Sequence, residues 1–116
     1  MTITPTDTAS VLGHHLEAVG AGDLDALLSD YSPDVKLFTQ SGVFNGIDGV
    51  KTFFEGLMPQ LTPEFMEAFS LDVNEVDGDY AYIVWHSGTD APLATDTFHV
   101  VDGKIVMQSV AIYMPS

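Results

Sequence analysis

A carboxylate within an apolar row is the feature of this sequence that most directly suggests chemistry. Residues 94–101 alternate strictly, so a strand here places Asp96 on the same face as Ala94, Phe98 and Val100. A carboxylate in an apolar layer is costly unless it is protonated or hydrogen-bonded, and such groups are candidates for acid-base chemistry. The alternative is a structural aspartate bonded to a loop, or a one-residue register slip that exposes it.

His15 is the second candidate, because its spacing places it on the inner face of a predicted helix. Val11, Leu12, Ala18 and Val19 lie three and four residues away on either side. A histidine on an apolar face is more often a satisfied core residue than a catalytic one. A His15–Asp96 pair would nevertheless supply one donor and one acceptor near neutral pH, so we predict that both residues are catalytic.

Further side chains are predicted to bind a ligand. Gln108 is a polar group in the apolar row that it shares with Val106, Val110 and Ile112, and it could orient a ligand or lie at a wet cavity mouth. Trp85 shares a face with apolar neighbours and would form a pocket wall. The predicted ligand-binding set is completed by residues of other elements: Phe54, Phe98, Val110 and Thr39.

Metal, nucleophilic and cofactor sites lack support in the sequence. His14, His86 and His99 do not group, and adjacent His14 and His15 point about 100° apart on a helix, so no metal is expected. Cysteine is absent and there is no Gly-x-Ser-x-Gly motif. No organic cofactor motif is visible, and we expect none.

Composition restricts the partners. Asp and Glu total 17 against three lysines, giving a net charge of −14. Nucleic acid and anionic lipid both require neutralising cations, so no binding to nucleic acid or membrane is expected. The 116 residues fit a single domain, 1–116, and the absence of a long apolar run or signal-like segment leads us to expect a cytoplasmic protein.

The spacing of apolar residues changes halfway along the chain, from the 3.6-residue period of helices to the 2-residue period of strands. Thr6 or Asp7 caps a first helix that ends at Gly20 and Gly22, and Asp23 caps a short second one that stops at Ser32-Pro33. Residues 35–40 form a strand. Asp48 caps a third helix with an apolar face, and Pro59 marks its end.

The second half is predicted to form a meander of antiparallel strands. These strands cover residues 65–76, 80–86, the Asp96 segment and 104–114, with tight turns at 77–79 and 102–103. Helices followed by such a meander indicate an α+β layer architecture. A curved sheet with helices on one face leaves a cone-shaped cavity between the layers.

Three local strings resemble the nuclear transport factor 2-like superfamily, in particular its SnoaL-like polyketide cyclase and ketosteroid isomerase-like branch. They are His14 to Leu27, containing "AGDLDAL"; Tyr31 to Val35 with the helix entry Gly46 to Val50; and Asp96 to Ile105. The resemblance implies a cystatin-like topology in which a curved sheet wraps around the N-terminal helix and two further helices. It is weak for function, because this fold carries many activities and non-enzymes.

The resemblance carries over to individual residues only in part. Ketosteroid isomerases have a tyrosine on helix 1 where this chain has His15, and a proton-shuttling aspartate where it has Thr39. Their second, protonated aspartate matches Asp96, and SnoaL-type cyclases use an aspartate of this strand as general acid/base. Thr39 therefore argues against steroid-type isomerisation, whereas Asp96 is compatible with cyclase-like chemistry.

The outer face of the predicted sheet is apolar, which suggests self-association. Tyr82, Val84, Met107 and Tyr113 share this face, and the superfamily often dimerises through it. The predicted protein is an acidic homodimer with an apolar pocket for a small carbonyl-bearing molecule. It would act as a cofactor-independent isomerase, cyclase or dehydratase. The alternatives are a non-catalytic binding module and a dimerising accessory domain with a filled cavity.

Overall fold

The N-terminal helices begin at the predicted polar caps. In the computed structural model, which describes residues 7–115, α1 spans Thr8–Ala21 and the Asp7 carboxylate accepts a hydrogen bond from the Ser10 amide at 2.7 Å. Gly22 ends α1 with a left-handed φ of 67°. Asp23 caps α2 (Leu24–Leu28). The alternative cap at Thr6 lies outside the described residues.

The later helices differ from the predictions in detail. The third helix, α3 (Gly46–Leu57), has Asn45 at its N-cap, and Asp48 lies in its first turn rather than capping it. A 3₁₀ turn (Met58–Gln60) containing Pro59 follows. The unpredicted helix α4 (Pro63–Glu67) carries Phe65, which the alternation had assigned to a strand. Pro63 at its first turn and the Thr62 cap favour this short helix locally.

In the described residues the strands form a single six-stranded sheet with the order β2-β1-β6-β5-β4-β3. β1 lies parallel to β6, and every other neighbouring pair is antiparallel. The strands are β1 (Tyr31–Thr39), β2 (Gly42–Asn45), β3 (Phe69–Asp77), β4 (Tyr80–Ser87), β5 (Ala91–Val101) and β6 (Lys104–Tyr113).

One strand begins earlier than predicted, and one strand was missed. Ser32-Pro33 lies within β1, whereas α2 already ends at Leu28. The short strand β2 was not predicted, because its four residues carry too little periodicity. Both predicted hairpin turns are present, and at the second Asp102 and Gly103 take φ values of 51° and 77°, as a type I′ turn requires.

A β-bulge on β6 changes which residue of this strand faces inward. His99 pairs with Met107 and Val100 with Ile105, which leaves Val106 unpaired between them. Ile105 is fully buried, whereas Val106 is only half-buried and lacks the burial of Gln108 and Val110, with which the strict alternation had grouped it.

The predicted α+β class is confirmed: helices cover one face of a curved, unclosed sheet. Between the two layers lies the core, to which α1 contributes Val11, Leu12 and Ala18 and α3 contributes Val50 and Phe54. α4 is held against the sheet by the Ser87 hydroxyl, which donates to the Phe65 carbonyl at 2.6 Å. No helix within residues 7–115 is long and apolar enough to cross a membrane.

Candidate functional site

The sheet places Asp96 between two polar side chains of the neighbouring strands. Asp96 pairs directly with Ile83 on β4 and Val110 on β6. Trp85 and Gln108 are two residues away from these direct partners, on the same face. Diagonal neighbours of this kind lie within reach of long side chains. Inward alternation on three adjacent strands thus brings together a carboxylate, an indole N–H and an amide.

Both carboxylate oxygens of Asp96 accept hydrogen bonds. Trp85 Nε1 donates to Oδ1 at 3.3 Å, and Gln108 Nε2 donates to Oδ2 at 3.2 Å. Asp96 is only 8% exposed, and desolvation raises its pKa to about 7, although the two donors oppose this shift by stabilising the anion. A carboxyl with this pKa exists in both protonation states near neutral pH, which suits proton transfer.

Tyr31, the first residue of β1, extends the network on the far side of Gln108. Its hydroxyl donates to Gln108 Oε1, so that both ends of the amide have protein partners. Burial raises the pKa of Tyr31 well above its usual range, with the Asp96 charge adding to the shift. In the sequence, Tyr31 stands out only as part of a string that resembles the family. Its proximity to Gln108 becomes evident only once β1 is known to pair with β6, where Tyr31 lies beside Ile105.

His15 is buried as predicted, but its environment is aromatic. Its ring lies 5.1 Å from that of Phe98, 6.0 Å from that of Tyr31 and 6.2 Å from that of Phe54. Among the described residues it makes no hydrogen bond, and its buried Nδ1 has no partner. No hydrogen bond therefore joins His15 to Asp96 among the described residues, although both line the same cavity. Desolvation lowers the pKa of His15 to about 4, so the ring is neutral at pH 7.

An apolar cavity of about 160 Å³ lies between the sheet and the helices and joins these residues. Of the predicted ligand-binding residues, Gln108, Trp85, Phe54 and Val110 line it, as do His15 and Asp96. Phe98 does not line it and packs beneath His15. The rest of the wall comes from Leu16, Val19, Phe53, Leu57, Leu61, Phe65, Met66, Phe69, Ile83 and Ile112.

Thr39 lies apart from this cavity. Its hydroxyl donates to the Gly42 carbonyl at 2.8 Å in the β1–β2 turn, and it borders a separate open groove behind Phe53 and Leu57. The alignment that led to Thr39 located the strand end correctly, but that end lies beyond the cavity wall.

Two of the other three histidines form separate pairs with aspartates, and the third, His99, stacks on the ring of Tyr80. His14 Nδ1 lies 2.8 Å from the Asp30 carboxylate, and His86 Nδ1 lies 2.6 Å from Asp72. Within residues 7–115 no group of three or more His, Asp or Glu side chains is arranged to hold a metal ion. The groups available for chemistry in the cavity are the Asp96 carboxyl and the neutral His15 imidazole, and the rest of the wall is mainly apolar.

Comparison with protein families gives a match between residues 12–108 and the SnoaL-like domain family. No curated protein matches the chain significantly. One similar structure is a SnoaL-like protein of unknown function from Burkholderia thailandensis, at 21% identity and a TM-score of 0.74, covering 94% of this chain and 99% of the other.

Two further structures have the same fold. A Sinorhizobium meliloti protein provisionally assigned as a polyketide cyclase has 17% identity and a TM-score of 0.71, with 87% of this chain and 93% of the other covered. TerC, co-crystallised with polyporic acid, has 13% identity and a TM-score of 0.68, with 90% of each chain covered. At these identities the likeness establishes the fold alone.

Proposed function

The chain belongs to the SnoaL-like domain family of the nuclear transport factor 2-like superfamily, and on that premise we propose that it is a cofactor-independent enzyme. It binds a small, neutral, ring-sized carbonyl compound and transfers a proton at the carbon beside the carbonyl, with Asp96 as general acid/base. This step is common to isomerisation, aldol-type cyclisation and dehydration. The observation that carries the proposal is a buried carboxyl that lines an apolar cavity and has only neutral hydrogen-bond donors beside it.

The cavity size supports a ligand with a single ring inside the protein. A cavity of roughly 150 Å³ lined by apolar side chains accepts benzene, and the cavity here has about 160 Å³. The helical walls are apolar, so a charged ligand would lose its hydration without gaining an ion pair. The neighbour co-crystallised with polyporic acid and the provisionally assigned polyketide cyclase agree with a small organic ligand.

His15 has the right protonation state to serve a carbonyl oxygen. A neutral imidazole carries one N–H, and its Nδ1 is sealed without a partner. A buried N–H without an acceptor is rarer than an acceptor without a donor. The favoured tautomer therefore has the proton on Nε2, the nitrogen left to reach a ligand. An Nε2–H donor would stabilise the negative charge that develops on the oxygen as Asp96 removes the proton.

Gln108 takes a different role from the one predicted for it. Because its oxygen accepts from Tyr31 and its nitrogen donates to Asp96, the amide orients the carboxyl rather than a substrate oxygen.

The runner-up function is a non-catalytic binding module that uses the same cavity. The two differ in whether a proton leaves the bound molecule.

Deuterium exchange into cyclohexanone, a single-ring ketone, tests the proposal. In D₂O, Asp96 would take a proton from the carbon beside the carbonyl and return a deuteron, which proton NMR follows as loss of the C2 signal. We expect exchange above the buffer rate that Asp96→Asn abolishes and the exposed Asp90→Asn control retains. Binding of the ketone without exchange would favour the binding module, and the absence of both would refute the proposal.

We also propose that the protein is a homodimer through the outer face of the sheet. Tyr82 is 42% and Tyr113 60% exposed there, and Val84 and Met107 are half-buried on the same face. Light scattering at micromolar concentration should give twice the mass of the 12.5 kDa chain, and Tyr82→Glu should give a monomer. A monomeric wild type would remove this part of the proposal.

A further inference from the structure

Tyr31 is a fully buried polar side chain that does not line the cavity. It is 3% exposed at the start of β1, beside Ile105 of the parallel strand β6. Its ring packs edge-on to His15, and its hydroxyl bonds only to Gln108 among the described residues. The hydroxyl is thus one side chain away from the proposed reacting carboxyl.

The Gln108 amide lies between Tyr31 and Asp96 and can adopt two orientations, and its bond with Tyr31 favours one of them. A side-chain amide has a donor end and an acceptor end of nearly the same shape. With Nε2 toward Asp96, it donates to the carboxylate; after a flip, Oε1 would face the carboxylate and repel it. In the first arrangement the Tyr31 hydroxyl donates to Oε1. After a flip it could only accept from Nε2, and its own buried proton would have no acceptor among the described residues, so the hydroxyl favours the first arrangement.

We propose that Tyr31 is a positioning residue, which acts through Gln108 to keep an N–H donor on Oδ2 of Asp96 and thereby leaves the carboxyl's exchangeable proton to the cavity. The catalytic consequence rests on the proton-transfer function proposed above. The positional claim does not, because the ionisation of Asp96 can be measured without any substrate.

Few other titratable groups lie near Asp96, so a change in its pKa can be attributed to the loss of the Tyr31 hydroxyl. The titratable groups that share its cavity or network are His15 from α1 and Tyr31 from β1. The inward faces of α3 and α4 contribute apolar side chains. Loss of a donor to a charged group is worth an upward pKa shift of about 1–2 units. Removal of the Tyr31 hydroxyl should produce a shift of this size, because Gln108 is then free to flip.

Trp85 provides the probe, since it is the only tryptophan of the chain and its Nε1 donates to Asp96 Oδ1. Its fluorescence, followed from pH 5 to 9, should show a wild-type transition near pH 7 that Asp96→Asn removes. In Tyr31→Phe the midpoint should rise by about 1–2 units. In Tyr80→Phe, a matched change at a tyrosine that is 54% exposed and is not among the residues of the proposed dimer face, it should not move.

A double variant shows whether Tyr31 acts through Gln108. Gln108→Leu should raise the midpoint by itself, and Tyr31→Phe should add nothing in its presence. An unshifted midpoint in Tyr31→Phe, or shifts that add in the double variant, would overturn the proposal. So would a wild type without an Asp96-dependent transition.

A measurement on the wild type keeps the test independent of the stability of Tyr31→Phe. The Gln108 side-chain NH₂ signals in a ¹⁵N-resolved NMR spectrum should move with pH across the same transition, because these protons lie against Asp96. Signals that stay fixed would refute the amide orientation. A shifted midpoint without cyclohexanone exchange would instead leave the positioning intact and refute the proposed function.

Discussion

His14 and His15 are neighbours on α1, yet their environments are opposite. His14 is 44% exposed and lies 2.8 Å from Asp30, whose hydrogen bond and charge raise the pKa of His14. His15 is sealed against aromatic rings, and desolvation lowers its pKa to about 4. A helical turn of about 100° between successive residues separates the two environments. The protonation state of each histidine therefore depends on the side of the helix that it occupies and not on its neighbour in the sequence.

Asp30 and Asp96 are both buried, but they differ in the charge of their hydrogen-bond partners. Burial raises the pKa of both, but Asp30 has His14 and Lys104 nearby, which oppose that shift. Asp96 has only neutral donors, and its pKa reaches about 7. A cation beside the carboxyl makes a structural pair at the surface. Neutral donors in an apolar cavity make a carboxyl that can exchange its proton.

The largest expected effect is on the pH dependence of stability, through Asp96. Its folded pKa of about 7 lies above the unfolded value of 3.8. The folded state therefore binds more protons between these values, and stability is lost as pH rises from about 4 to 7. The loss integrates to roughly 4 kcal/mol. Denaturant unfolding should show Asp96→Asn gaining about this much on wild type between pH 4 and 8, whereas Asp90→Asn should not. A difference that is constant with pH would contradict the buried carboxyl.

His15 should produce the opposite slope. Its folded pKa of about 4 lies below the unfolded value of 6.5, so its contribution is fully present above pH 6.5 and is lost as pH falls toward 4. The loss amounts to roughly 3 kcal/mol. In the wild type this slope opposes that of Asp96 between pH 4 and 6.5. His15→Leu should therefore gain on wild type toward acid pH in the same unfolding experiment. If its advantage instead grew toward alkaline pH, the assigned neutral state would be wrong.

The smallest effect is expected at the pair of His14 with Asp30, in which the histidine is exposed and the aspartate is buried. The folded pKa of His14 is raised, so its contribution is fully present below about pH 6.5 and is lost as pH rises through the folded value. Solvent screening limits a pair of this kind to about 1 kcal/mol or less. His14→Gln should be slightly less stable than wild type at pH 6 and equal to it at pH 9, and 1 M sodium chloride should reduce the difference. An effect as large as that of His15→Leu would mean that the His14 imidazole is shielded from solvent as well.

Much of the fold and part of the candidate site follow from the sequence. The 3.6-residue spacing of α1 placed His15 inward, and the strict alternation of β5 placed Asp96 inward, because the period of an element is set by its own backbone. The Asp102-Gly103 turn also follows locally, since few residues tolerate positive φ. Family strings supplied the overall topology.

Only the tertiary structure decided which inward residues meet. The parallel pairing of β1 with β6 brought Tyr31 to Gln108, and the short helix α4 helped to close the cavity. His15 received aromatic neighbours instead of Asp96. These contacts join residues up to 77 positions apart in the chain. Local periodicity fixes a side chain's direction, whereas its partner, its hydration and hence its protonation depend on distant elements packed against it.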